Sequence, residues 1–196
     1  MNIANKLTLA RLIAVPIFMI VMLLPENVIA LRNTCVIGAI IFIAASITDS
    51  LDGHLARKHN LITNFGKFVD PLADKFLVIG ALLVMLYRFE ELRIYLLIVT
   101  IAVVFRELAV TSARLVASTS NERVVIPANI FGKIKTVFQI TLISSVLIEH
   151  ALWADICPFL LGYPVSMIAM VGTFAMTLIS GGIYLYECRK YFDHTK

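Results

Sequence analysis

Four aspartates are spaced for joint work. Asp49 and Asp52 are three residues apart and Asp70 and Asp74 four apart, so on helices each pair projects from a single face. Both pairs lie beside long apolar segments. Carboxylates gathered at the low-dielectric edge of such segments repel one another and are costly to desolvate, so they need protons or cations to coexist. A bound metal resolves this most simply. Oxygen-only ligation suits a hard cation such as Mg²⁺, Mn²⁺ or Ca²⁺, and no histidine or cysteine partner argues for zinc. Mg²⁺ held by carboxylates commonly completes its shell with substrate phosphates, and two such ions can steady the attacking and leaving oxygens of a displacement. The site anticipates a phosphate ester.

The residues between the pairs suit that chemistry. Gly53 and Ala56 remove bulk where a substrate could press against the backbone, and Arg57 offers a planar fork of donors to phosphate. Taken singly, Asp49 and Asp70 could be helix caps and Arg57 a topology charge; taken together, the positions need a common explanation. A second group, Arg106, Arg114, Arg123, Lys133 and Lys135, outweighs Glu107 and Glu122 and can hold an anionic acceptor. A phosphate-bearing alcohol fits it better than choline or ethanolamine. The plainer reading is that these are positive-inside charges. Residues 106–135 form the longest polar stretch, too long for an idle loop in so small a chain.

Of the 196 residues, 60% are apolar and only 15% charged, which excludes a water-soluble globule. The stretches 7–24, 36–51, 72–87, 94–110, 137–148 and 165–186 reach or approach the roughly 20 apolar residues that a membrane helix needs. The fold expected is all-α: a single polytopic domain over residues 1–196 with six transmembrane helices. Arg11, the length of the first stretch and the lack of a small-x-small site argue that it is retained rather than cleaved. Pro16 is expected to kink that helix, and Pro71 to sit in the first turn of the third. With six spans, only Arg32, Arg88 and Arg93 of the 17 basic residues fall on the side away from the termini, so both termini and the aspartates are expected to be cytoplasmic. The net charge of +4 then reflects topology and anionic headgroups; no nucleic-acid recognition module is visible. Cys35, Cys157 and Cys188 lack metal-ligand spacing and suit apolar packing. Trp153, Pro158, Tyr163 and Pro164 mark residues 149–164 as an interfacial crossing with an aromatic anchor. No internal repeat or low-complexity segment interrupts the chain.

The run Asp49-x-x-Asp52-Gly53-x-x-Ala56-Arg57, then eight residues, then Gly66-x-x-x-Asp70-x-x-x-Asp74 resembles the complete signature of the CDP-alcohol phosphotransferase family. The resemblance implies a fold of six transmembrane helices, usually a homodimer. It also implies a reaction in which a CDP-activated alcohol gives its phosphoalcohol to an acceptor hydroxyl and CMP leaves. Carried over, it makes Asp49, Asp52 and Asp70 ligands of Mg²⁺ or Mn²⁺, two ions in all, and Asp74 both a ligand and the general base. Gly53, Ala56, Arg57 and Gly66 would line the cytidine diphosphate.

Further segments resemble the branch of that family that joins CDP-diacylglycerol to sn-glycerol 3-phosphate in the cell membrane. These are Asn5-Lys6-Leu7-Thr8-Leu9-Ala10-Arg11, with Ala4 where a proline is usual; Arg106-Glu107-Leu108 with Arg114; and Gly132-Lys133-Ile134-Lys135-Thr136 with Gln139. On that likeness Asn5 and Thr8 approach the nucleotide, and Arg106, Arg114, Lys133 and Lys135 bind the acceptor phosphate. The final span offers no diagnostic residue. Rival readings are a relative using inositol phosphate, serine or phosphatidylglycerol, a cation transporter, and a membrane scaffold. Against the transporter, the aspartates cluster at one face with glycines and Arg57, and no other span carries a carboxylate relay. A scaffold leaves four clustered acids unexplained.

Overall fold

Each apolar stretch is continued by residues that tolerate a helix, and the helices accordingly outrun the stretches. A computed structural model of the chain describes residues 3–58, 64–119, 130–153 and 163–192, with side chains described for 8–48, 69, 71–115, 130–152 and 163–186. The described residues form six helices: α1 (Ile3–Leu23), α2 (Leu31–Lys58), α3 (Asn64–Arg88), α4 (Arg93–Thr119), α5 (Ile130–Trp153) and α6 (Pro164–Phe192). No strand occurs among the described residues. Within α2, α4, α5 and α6 the apolar windows are long enough to cross a membrane, and α1 carries a shorter one, Thr8–Leu23. In α3 charge intrudes at both ends, with Asp74 and Lys75 near its start and Arg88 at its close. The chain is a multi-pass, all-helical membrane protein.

Packed pairs close a ring in the order α1, α2, α5, α6, α4, α3, and α3 also meets α5 across it. Phe18, Phe42, Leu82, Met85, Leu96, Leu142 and Leu147 fill the shared interior, while Ile17, Ile40, Ile101, Phe105, Ile168 and Val171 stay exposed on the outside. That inside-and-outside apolarity suits a lipid surround, where interior hydroxyls must find partners within the protein. Ser46 donates to the Phe42 carbonyl at 2.9 Å and Thr100 to that of Leu96 at 2.6 Å, each bonding back along its own helix. Small residues set the closest crossings. A Cβ on Gly38 of α2 would lie 2.7 Å from Met22 Sδ of α1, and one on Gly172 of α6 would lie 2.3 Å from Phe138 Cε1 of α5.

Contacts at one end of the ring show how the helices alternate. The Arg88 guanidinium at the end of α3 lies 3.4 Å from Glu26 in the α1–α2 link. Beside the start of α6, the Tyr163 hydroxyl is 2.7 Å from His150 Nδ1 of α5 and 3.4 Å from Glu91 before α4. Glu149 of α5 accepts from the Val165 and Ser166 amides at 2.8 and 3.0 Å, capping α6. The ends of α3 and α5 and the starts of α4 and α6 therefore share one end.

Three expectations change. Tyr163 is buried rather than an interfacial anchor, because His150 and Glu91 satisfy its hydroxyl inside the bundle; burial, with Glu91 beside it, pushes the phenol up to about 12. Pro71 lies inside α3, which starts at Asn64, rather than in a first turn. Residues 106–135 are chiefly helix, because tertiary neighbours extend α4 and α5 into polar sequence: only residues 120–129, with Glu122 and Arg123, lie outside the described chain there. Cys35 is buried as expected; Cys157 and the side chains of Trp153 and Cys188 lie outside the described residues.

Candidate active site

At the opposite end of the ring, four helices enclose a cleft of about 250 Å³. The start of α3 brings Pro71, Asp74 and Lys75; the second half of α4 brings Arg106, Glu107 and Arg114. Gly132, Lys133, Lys135 and Thr136 come from the first turns of α5, and Ser180 and Tyr184 from the last turns of α6. Position on the helix explains the grouping. In an alternating bundle the start of α3 and α5 and the end of α4 and α6 must meet, and polar residues are tolerated there because the apolar windows lie farther along each helix.

The cations are ordered by neighbouring groups. Glu107 accepts from Arg106 Nη1 at 3.0 Å and from Lys135 Nζ through the same oxygen, Oε1. Only 13% of the Glu107 side chain and 7% of that of Lys135 are exposed, so this is a buried pair whose two charges need each other. Lys75 donates to Thr111 Oγ1, which itself donates to the Glu107 carbonyl at 2.7 Å. Arg114 donates from Nε to the Tyr184 hydroxyl at 3.2 Å, and its guanidinium carbon stands 5.5 Å from the centre of that ring. Below Asp74 a narrower pocket runs between α3, α4 and α5 to Gln139, with room for about one water. Gln139 is buried, and its Nε2 has no hydrogen-bond partner among the described residues.

Of the residues the sequence singles out, Asp74, Arg106, Arg114, Lys133 and Lys135 line this one cleft. Thr8 is buried on α1. Asn5 lies on α1, Asp49, Asp52, Gly53, Ala56 and Arg57 on the last turns of α2, and Gly66 and Asp70 on the first turns of α3; their side chains lie outside the described residues. Only residues 59–63 separate the two helix ends that carry the aspartates. Sequence reasoning missed Lys75, Ser180 and Tyr184, and named Glu107 and Thr136 within motifs without giving either a role in the site. For α6 the available signal was the small-residue run Ser180-Gly181-Gly182, which allows close approach of another helix.

This polar cleft between the ends of membrane helices has Asp74 and Lys75 on the α3 wall, further cations on the α4 and α5 walls, and Ser180 and Tyr184 on that of α6. The family model described as CDP-alcohol phosphatidyltransferase matches residues 1–179, and the chain belongs to that family. Its relatives include the CDP-diacylglycerol–glycerol-3-phosphate 3-phosphatidyltransferase of Bacillus subtilis (strain 168), 43% identical over 93% of each chain. The protein of that name from Rickettsia felis is 32% identical over 97% of each. A protein of Mycobacterium tuberculosis, named a probable phosphatidylglycerophosphate synthase, is 41% identical over 70% of this chain and 62% of its own.

Proposed function

We propose that this chain transfers a phosphatidyl group from CDP-diacylglycerol to sn-glycerol 3-phosphate, giving phosphatidylglycerol phosphate and CMP. One observation carries the reading: Asp74 shares a single cleft with Arg106, Arg114, Lys133 and Lys135. With Lys75 the cleft holds five cations against two carboxylates, Asp74 and Glu107, an excess that suits an acceptor bringing its own phosphate and offering a hydroxyl. The names of the relatives from Bacillus subtilis and Rickettsia felis support the choice of substrates.

In the reaction, the acceptor hydroxyl oxygen bonds to the phosphorus that carries diacylglycerol, the bond from that phosphorus to the CMP oxygen breaks, and CMP leaves with the electron pair. Asp74 takes the hydroxyl proton. Arg106, Arg114, Lys133 and Lys135 hold the acceptor's phosphate so that its hydroxyl is presented to the reacting phosphorus, and such positioning supplies much of the acceleration. Asn5, Thr8, Gly53, Ala56, Arg57 and Gly66 are assigned to the nucleotide end of the lipid. Asp49 and Asp52 on the last turns of α2 and Asp70 and Asp74 on the early turns of α3 offer only oxygen donors, a chemistry that fits Mg²⁺ or Mn²⁺, and would hold two ions. When bound, such ions neutralise the diphosphate and lower the basicity that Asp74 needs.

The setting proposed is the cell membrane, crossed six times by a single domain spanning residues 1–196. Both termini and the cleft face the cytoplasm, and two copies form a homodimer. Purified protein offered CDP-diacylglycerol with glycerol 3-phosphate, inositol phosphate, serine or phosphatidylglycerol, with and without metal, tests the reaction. CMP release with glycerol 3-phosphate is expected, and only with metal. No release with that acceptor ends the assignment.

A further inference from the structure

The last helix carries no residue of the family signature, yet both arginines of the cleft lean on it. Arg114 of α4 is held by Tyr184 in two ways, through the hydroxyl that accepts from Nε at 3.2 Å and through the ring 5.5 Å from its guanidinium carbon. Tyr184 is itself fixed: it is 4% exposed and packs with Val110 and Ala113 of α4. The bond uses Nε and so does not consume the paired Nη groups, the fork that grips phosphate oxygens two at a time. One turn back, Gly181 lies against Arg106. A Cβ there would stand 3.2 Å from Arg106 Cγ and 3.9 Å from its Cβ. On the other side, a Cβ on Gly132 of α5 would lie 3.8 Å from Arg106 Nη2. Arg106 thus runs between two helices whose facing residues lack side chains.

We propose that Tyr184 and Gly181 of α6 are positioning residues for the anionic acceptor, fixing the guanidinium groups of Arg114 and Arg106 at the spacing that a phosphate monoester needs. A free arginine side chain carries about 2 kcal/mol of rotamer entropy, and a side chain already held loses less of it on binding. Gly181 acts by absence, leaving the channel along which Arg106 reaches the cleft. Ser180, whose hydroxyl donates to the Thr177 carbonyl at 3.2 Å, is committed to its own helix and lines the cleft without holding either arginine.

The proposal rests on the acceptor reading above, and steady-state kinetics of the full chain in lipid nanodiscs separates the two. Tyr184→Phe keeps the ring and its packing but removes the hydroxyl. It is expected to raise KM for glycerol 3-phosphate roughly ten-fold, the size of one hydrogen bond to a charged group, with kcat and KM for CDP-diacylglycerol within about two-fold. Gly181→Ala is expected to show the same split. Gly182→Ala, where an added Cβ meets nothing within 4 Å, is the control and is expected to match the parent. In an Arg114→Ala background, Tyr184→Phe is expected to add nothing further, because its effect runs through that arginine. Unchanged acceptor KM in Tyr184→Phe and Gly181→Ala overturns the proposal, as does a parallel loss in both substrates or an additive double variant. If the parent protein uses a different phosphorylated alcohol, the acceptor reading fails alone, and the same split measured with that alcohol decides the role of α6. A parent that uses no phosphorylated acceptor overturns both.

Discussion

The two roles proposed for Asp74 pull against each other. An aspartate near bound cations keeps a low affinity for protons, yet it is the group proposed to accept one; a positioned, polarised hydroxyl reduces the basicity required. Asp74→Asn keeps the size and removes the proton acceptor. Turnover is expected to fall by about 10²–10⁴-fold, the usual range for a general base. Folding and CDP-diacylglycerol binding are expected to persist, followed by thermal unfolding and by equilibrium binding of the lipid. Substantial turnover would rule the base out. Lys135 is tied to Glu107 in a buried pair, so Lys135→Ala has two consequences. It is expected to raise KM for glycerol 3-phosphate with that for CDP-diacylglycerol unchanged. It is also expected to lower the unfolding temperature, because the buried Glu107 carboxylate keeps only Arg106 as its cation, a loss smaller than the about 3–5 kcal/mol of a buried charge left wholly unpaired. Adding Glu107→Gln removes the under-compensated charge and is expected to recover part of the stability without recovering acceptor affinity. Loss confined to the nucleotide lipid would contradict the division of the pocket.

Between elements, the closest crossing shows how tightly α6 is registered against its neighbours. With Phe138 Cε1 only 2.3 Å from where a Cβ on Gly172 would lie, Gly172→Ala forces the ring or the helix to shift. A cost of about 1–3 kcal/mol is expected, read as a lower unfolding temperature in detergent, and Phe138→Leu in the same chain is expected to restore part of it. An unchanged unfolding temperature would mean that α5 and α6 are not so closely set. The same crossing explains what the sequence could and could not disclose. Helix number was legible because apolar runs of membrane length are few and well separated. Helix ends were not, since α4 continues to Thr119 and α5 starts at Ile130 through residues whose polarity reads as loop. Thus Arg114, Lys133 and Lys135 were recognised by charge and motif, but their rigid mounting on helices was invisible. Tyr184 and Gly181 were harder still, because their role depends on which α4 side chain lies opposite, and no local pattern in α6 encodes that.

For the whole molecule, the distribution of charge between the two ends of the ring sets a direction. One end holds Arg32, Arg88 and Arg93 against Glu26, Glu90, Glu91 and Glu149, with Arg88 paired to Glu26 and Arg93 to Glu90 at 3.2 Å. The other holds the cleft with Lys75, Arg106, Arg114, Lys133 and Lys135 against Asp74 and Glu107. Basic residues are retained on the cytoplasmic side during insertion, whereas acidic ones contribute little to orientation, so the cleft end is expected to face the cytoplasm. A water-soluble phosphorylated acceptor would then enter from the compartment where it dissolves, and the lipid donor would arrive laterally between helices. A reporter active only in the cytoplasm, fused after Lys196, is expected to be active. The same reporter inserted in residues 24–30, between α1 and α2, is expected to be silent. Activity at both positions would mean that one of α2–α6 does not cross, and among these α3 is the helix without an apolar window of membrane length among the described residues. The reverse pattern would turn the bundle over and place the cleft on the side that few basic residues are expected to face.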